Sequence, residues 1–394
     1  MPAIEVPSRV SGTLGGKTAG VIFALALFGF VAESELTQYV QTTLGFRQPY
    51  FIFYCVHSSF FVLFPLHYLY LITVGKQSSV ALNRGLRHAF KLHVAPTSFD
   101  KAHKFPVWGL TRLVVFMTIV VSVPALLWFV AVTLAPVSDV TALWNTNAFF
   151  AYVLTVKLFG LPWEPRRLAA VLLATAGAAA VIYGSSSGAE TRPRAIAGPL
   201  VGDLLTLVAS VIYGIYQVGY KMYAALPTDP HEIDSGSVAA DSYEPIISEE
   251  EEWDETHPPE DKDDMIYPPP FGLYANFLTT CIGACTFLLL CIPLPILHFL
   301  DAEKFRLPTD ITTISAIAAI SLTGVIFNAG LMILLGVWGP IVTSVGNLLT
   351  IVLVFFADIM FGGAAESITI WSIVGSGAIV TAFGILAFDM VKGR

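Results

Sequence analysis

Charge is scarce in this sequence. Of its 394 residues only 13% are Asp, Glu, Lys or Arg, where a soluble chain of this length carries about a quarter. A water-soluble globular protein is thereby excluded. The apolar runs also lack the polar stripe of helices that face water on one side. Cysteine is rare: Cys55, Cys281, Cys285 and Cys291 all lie inside apolar runs and carry no information on redox compartment. Cys281 and Cys285 are four apart and share a helix face, yet no His or carboxylate converges on them in sequence, so they read as small packing residues rather than metal ligands. Dense histidine clusters are missing as well: His88 and His93 stand five apart in a basic loop. No cleavable leader is evident: the segment before the first apolar run contains Glu5 and two prolines, and no small-residue cleavage site follows a short apolar core.

What is present is apolar sequence. Hydrophobic residues make up 55% of the chain and the mean hydropathy is +0.71. A span needs roughly 20 apolar residues to cross a hydrocarbon core of about 30 Å. Ten runs approach that length. Thr18–Ala32, Tyr50–Val74, Val107–Val132, Val140–Val156 and Leu168–Tyr183 lie before Ser185. Leu200–Ala224, Phe271–Phe299, Ile311–Val337, Ile341–Phe361 and Ile368–Phe388 follow Ala197. The first run is short and meets Glu33 and Glu35, beyond which helix could continue toward Val40.

Five crossings per half put the second half upside down relative to the first. The expected fold is therefore an all-α polytopic membrane protein of ten transmembrane helices, arranged as two inverted five-helix repeats. Such pairs build secondary transporters whose substrate site lies between the halves near the midplane. Side-chain pattern supports the duplication. Aligned without gaps, the fourth and ninth runs match Asn145 to Asn347 and Phe159-Gly160 to Phe361-Gly362. Both follow a tight turn with proline, at Pro136 and at Gly339-Pro340. The fifth and tenth runs both carry small residues early, Ala174 to Ala180 and Gly375, Gly377 and Ala378, which let backbones approach closely in lipid.

The expected organisation is a cytosolic tail over 1–17, a first repeat over 18–184 with a basic loop at 75–106, and a non-cytosolic linker over 185–198. A second repeat follows over 199–389, interrupted by an acidic loop at 226–270, with a cytosolic tail over 390–394. Basic residues favour cytosolic loops. Ten crossings with both ends in the cytosol place 16 Lys and Arg on that side and five on the other, so both termini are expected there. The formal net charge of −8 misleads, because 15 of the 29 acids lie between Asp229 and Asp264 beside the single base Lys262. That Pro-rich acidic segment has the composition of a disordered spacer. Within it, Ser248 precedes four glutamates, the setting of an acid-directed kinase site, and Tyr243-Glu244-Pro245-Ile246 has the form that vesicle-sorting adaptors read. The loop Lys76–Lys104 is basic and is expected on the membrane surface, where anionic lipids attract Lys and Arg.

The stretch GDLLTLVASVIYGIYQVGYKMY, Gly202 to Tyr223, resembles the opening helix of the second repeat in the drug/metabolite transporter superfamily with paired EamA-type repeats. The stretch VAESELTQYVQTTLGFRQPYFIFYCVHSSFF, Val31 to Phe61, is similar to the subfamily F branch of the solute carriers, related to nucleotide-sugar transporters, and to thiamine-repressible transport-protein-like membrane proteins. The resemblance spans nearly the whole chain except the two cytosolic loops. It implies ten helices, inverted repeats and a central cavity, and leaves the cargo open between nucleotide-sugar-like, vitamin-like and other small solutes. An endomembrane, vacuolar or Golgi/ER, is expected rather than the plasma membrane.

Intramembrane polar side chains are costly and face a bundle interior or a wet cavity. The candidates for a substrate site are Glu35 and Thr37 on the first run and Asn145 and Tyr152 on the fourth. Tyr213, Tyr216 and Gln217 on the sixth, Asn328 on the eighth, and Ser344 and Asn347 on the ninth complete the set. Tyr213, Tyr216, Gln217 and Tyr220 follow a three/four spacing and form one stripe. Asn145 and Asn147 differ by about 200° around a helix, so one of them faces the cavity, and the repeat match selects Asn145. For the polar residues of the fourth and ninth runs the alternative is an interhelical hydrogen bond, for Glu33 and Glu35 an interfacial carboxylate pair, and for Tyr220 and Lys221 an interface anchor. His57 and His67 in the second run read as hydrogen-bonded core.

Catalysis is not expected. Gly184-Ser185-Ser186-Ser187-Gly188 fits G-x-S-x-G, but that motif requires a strand-to-helix elbow and a partnered histidine. No cofactor, metal or nucleic-acid partner is called for; the expected partners are a small-molecule substrate, membrane lipid and, at the acidic loop, a sorting adaptor or kinase. The expected activity is alternating-access transport of a small organic solute, with exchange and proton coupling both open. The rival is a transport-inactive scaffold, receptor or channel of the same fold.

Overall fold

The computed structural model describes residues 16–94, 105–135, 137–185, 197–226, 266–353, 356 and 370–392. Every regular element among them is helical. Helix α1 covers Gly16–Gln38 and runs on as a π-turn over Tyr39–Thr43. Helices α2 (Pro49–Ser58) and α3 (Leu63–Thr73) form one rod joined by the 3-10 turn Ser59–Val62. The amphipathic α4 covers Ser79–Val94. Next come α5 (Val107–Leu134), α6 (Val137–Asn145), α7 (Asn147–Leu158) and α8 (Pro165–Ser185). The second half holds α9 (Ala197–Tyr223), α10 (Leu273–Leu289), α11 (Pro293–Phe299), α12 (Ile311–Asn347) and α13 (Ile370–Lys392).

Among the described residues, six stretches are long and apolar enough to cross a bilayer: Gly16–Thr43, Pro49–Thr73, Val107–Leu134, Leu200–Tyr223, Leu273–Phe299 and Ile311–Leu353. Large apolar side chains stand exposed along them, among them Phe28, Leu66, Ile119, Leu204, Phe287 and Leu322. Water would not tolerate so much apolar surface, and lipid does. The chain is an all-helical, multi-pass membrane protein.

One expected run is broken. The fourth run is not one rod: it breaks at Thr146 into α6 and α7, and the Thr146 hydroxyl turns back to the Leu143 carbonyl at 2.6 Å. The eighth and ninth runs are two helical segments, both within the range of α12, that meet at a sharp non-helical kink at Gly339. Gly339 has φ 77° inside α12, a conformation that a side chain disfavours, and Pro340 cannot donate the next helical bond. Ser248 and Tyr243 lie outside the described residues.

The most extensive helix packings pair the two halves: α8 with α13, α1 with α12, and α5 with α9. Small residues make the close approaches. Gly177 of α8 faces the Gly375 carbonyl, and Gly29 of α1 faces the Thr323 carbonyl. The α2–α3 rod packs on α10. Near α2, the Gln48 amide donates to the Arg306 carbonyl at 2.7 Å and accepts from the Arg306 N–H at 2.9 Å. Beside it, both oxygens of Glu303 accept backbone N–H groups at the start of α2, from Tyr50 at 2.9 Å and Phe51 at 3.0 Å. Burial raises the Glu303 carboxyl above its ordinary value, and these two N–H groups partly offset the rise.

The apolar face of α4, with Leu82, Leu86, Ala89 and Phe90, is buried against protein, and Phe90 stacks on Tyr274 at 4.5 Å. Its outer face carries the exposed Arg84 and Arg87.

Candidate functional site

Between the two halves lies a cavity of about 40 Å³, lined from α1, α2, α5, α6, α9 and α12. It has room for about three ordered waters or a group of similar bulk. Its wall is aromatic: Phe30, Trp128, Phe129, Trp144, Tyr213 and Phe327. The rings brace one another. Trp144 and Tyr213 stand 4.4 Å apart, Phe30 and Phe327 4.8 Å, and Trp128 and Phe129 5.0 Å. The polar members are Glu33, His57 and Asn328, with the Tyr213 hydroxyl.

Glu33 is 4% exposed and makes no hydrogen bond or ion pair among the described residues. Helical spacing places it here: Ala26, Phe30, Glu33 and Thr37 recur every three or four residues and form the buried stripe of α1. Glycine makes room for it, since a methyl at Gly324 of α12 would lie 3.0 Å from the Glu33 carboxyl and 2.6 Å from Val56. The Gly324 carbonyl meanwhile accepts from the Asn328 amide at 2.9 Å. His57 bonds through Nδ1 to the Phe53 carbonyl at 3.2 Å and packs among Phe53, Phe60 and Phe129. Two buried donors, the indole N–H groups of Trp128 and Trp144, have no partner among the described residues.

Of the residues expected at a substrate site, Tyr213 and Asn328 line this cavity. Glu35 does not; it is half-buried on another face of α1. Thr37 is fully buried one turn beyond Glu33. Tyr216 points its hydroxyl to the Met332 sulfur at 3.1 Å. Gln217 accepts from the Ser344 hydroxyl at 2.5 Å and donates to Asn147 at 3.4 Å, tying α9 to α12 and α7. Asn145 donates to Thr141 at 2.8 Å and to Thr350 at 3.3 Å, and Thr350 donates to the Asn347 carbonyl at 2.7 Å. So Gln217, Ser344 and Asn145 serve as interhelical glue in this conformation, the alternative that the sequence left open, whereas Asn347 contributes only its main-chain carbonyl and its buried amide nitrogen meets no partner among the described residues. Tyr152 belongs to a different cluster, with α8 and α13, and donates to the Glu164 carbonyl at 3.3 Å.

Sequence reasoning passed over Glu33 and the tryptophans. A signal existed for the first. Glu35 and Thr37, two apart, differ by about 200° around a helix, whereas Glu33 and Thr37, four apart, share a face. Nothing in local sequence separates Trp128 and Trp144 from ordinary core.

No family model and no curated protein matches this chain. It is similar to a solved crystal structure of a protein with 13% identity, covering 93% of this chain and 96% of the other, at a TM-score of 0.48.

Proposed function

We propose that the protein is a secondary carrier for a small organic solute, built as ten crossings in two inverted five-helix repeats and working by alternating access. One observation carries this reading: the helix pairings are related by exchange of the halves. In the duplicated chain α1 corresponds to α9, α5 to α12, α8 to α13, and the α2–α3 rod to α10–α11. Under that exchange the packing of α1 on α12 becomes that of α9 on α5, and both occur. The packings of α8 on α13 and of the α2–α3 rod on α10 map onto themselves, and both occur. A two-fold axis in the membrane plane produces this pattern.

The cavity supports the same reading, because it sits where the halves meet and draws lining from both. The drug/metabolite transporter resemblance, both termini in the cytosol and residence in an endomembrane belong to this proposal. So does the absence of enzymatic chemistry.

The test is reconstitution. Purified protein is screened against amines, vitamins and nucleotide sugars for thermal stabilisation, since a ligand of the folded form raises the melting point. A stabilising solute then shows saturable counterflow in proteoliposomes. Reporters on the two ends emerge on one face. Ends on opposite faces, or conductance in discrete channel steps, would replace this reading.

A further inference from the structure

We infer that the cavity at Glu33 binds a small organic cation, an ammonium head group, and not a phosphorylated solute. The inference rests on the carrier reading and names its substrate class. It starts from an imbalance of charge. A carboxyl 4% exposed, with neither a hydrogen bond nor an ion pair among the described residues, is an incomplete site. A buried carboxyl without a partner takes up a proton, and its charged form is stable only when a cation or several donors meet it, so a cationic guest competes with the proton for this site. No Lys or Arg lines the cavity. The cation of α9, Lys221, is engaged by the Gly336 carbonyl at 2.7 Å. It lies eight residues beyond Tyr213, about 12 Å along the helix. The bundle therefore leaves the counter-charge to be supplied from outside.

The remaining wall fits such a guest. Six aromatic rings line the same space. The faces of Trp, Tyr and Phe attract cations through their quadrupoles, and an aromatic enclosure with one carboxylate suits an alkylammonium group. The volume, about that of three waters, accepts a small ammonium head and not a nucleobase and sugar. A nucleoside diphosphate would meet the opposite of its needs, since phosphate recognition uses Arg, Lys or a helix N-terminus. Here it would set its negative charge beside Glu33. The titratable groups that face the site are Glu33 on α1, His57 on α2 and Tyr213 on α9; α5, α6 and α12 contribute Trp128, Trp144 and Asn328, which do not ionise. The indole donors of Trp128 and Trp144, without a partner among the described residues, accommodate the waters that accompany the guest.

Tetramethylammonium serves as the probe. Its charge is permanent, and tert-butanol is a neutral molecule of similar bulk. Binding to purified full-length protein is read from tryptophan fluorescence at constant ionic strength. Wild type is expected to saturate with tetramethylammonium at least tenfold more tightly than with tert-butanol, with no displacement by uridine diphosphate glucose. Glu33→Gln is expected to weaken the cation at least tenfold and to leave tert-butanol unchanged, and Trp144→Leu to weaken it several-fold. Where Glu33→Gln fails to fold by thermal melting, Glu33→Asp is read instead, with a smaller loss in the same direction. Equal binding of the two probes, no saturable cation binding, or full cation affinity in Glu33→Gln overturns the inference. Counterflow in proteoliposomes separates it from the carrier reading. Glu33-dependent binding without counterflow keeps the cation site and removes the carrier. Counterflow of uridine diphosphate glucose that Glu33→Gln leaves intact keeps the carrier and removes the cation site.

Discussion

Gly177 offers the sharpest test of how the halves are held together. An alanine methyl there would lie 2.7 Å from the Gly375 carbonyl, 3.0 Å from the Ala378 Cβ and 3.2 Å from the Ile379 side chain. Ordinary contact begins near 3.4 Å, so α8 and α13 must part by about 0.7 Å. The first obstacle is backbone, which cannot swing aside. A gap of 0.5–1 Å removes roughly a quarter to a half of each dispersion contact across it. Overpacking of this kind costs about 1–3 kcal/mol. Gly219→Ala provides the internal control. It sits within α9 with nothing within 4 Å of the new methyl, so the change gains about 0.5–1 kcal/mol of helix propensity. The two substitutions are chemically identical and share that helix gain, so Gly177→Ala should be the less stable by the overpacking cost, about 1–3 kcal/mol. Thermal unfolding of purified variants in one detergent measures it. If Gly177→Ala melts at or above Gly219→Ala, the close approach of α8 and α13 is wrong.

Three further outcomes follow from the same geometry. Ser344→Ala strands the Gln217 oxygen inside the bundle and should cost about 1 kcal/mol; a double-mutant cycle with Gln217→Leu should show strongly non-additive melting points, and additive ones would separate the pair. Asp310 caps α12 by accepting the Thr313 N–H at 2.8 Å, and that bond holds its carboxyl below the ordinary value. A depressed carboxyl stabilises the fold above its unfolded value of about 3.9 and loses this as pH falls through the folded value. Asp310→Ala should therefore melt lower than wild type at pH 7, with the difference closing in acid; a pH-independent difference refutes the cap. Gly324→Ala pushes a methyl against Glu33 and Val56, and should weaken tetramethylammonium several-fold, measured by fluorescence titration against wild type.

Apolar periodicity made the helices legible, because a lipid-facing rod must satisfy its own backbone and leaves a long continuous run. The small-residue patches of α8 and α13 were legible for the same reason, and they do meet. Interior breaks were harder. Thr146 interrupts its helix through a local hydroxyl bond that no hydropathy window registers. The site was half legible. Tyr213 and Asn328 stand out as polar groups in apolar helices, and both line the cavity. Gln217, Asn145 and Ser344 stand out equally, yet bond to one another's helices. Composition shows that a polar group needs a partner, while packing decides whether that partner is protein or guest. Glu33 turned on helix phase, which a match of short sequence patches overrides too easily.

The clasp at the start of α2 bears on how this protein can change over generations. Gln48 and Glu303 supply all the side-chain atoms of its four bonds, and Arg306, Tyr50 and Phe51 supply only main chain. Arg306, Tyr50 and Phe51 can therefore be exchanged for other residues with the clasp intact. Drift can rewrite most of that rim, and two codons, separated by 255 positions, hold the knot.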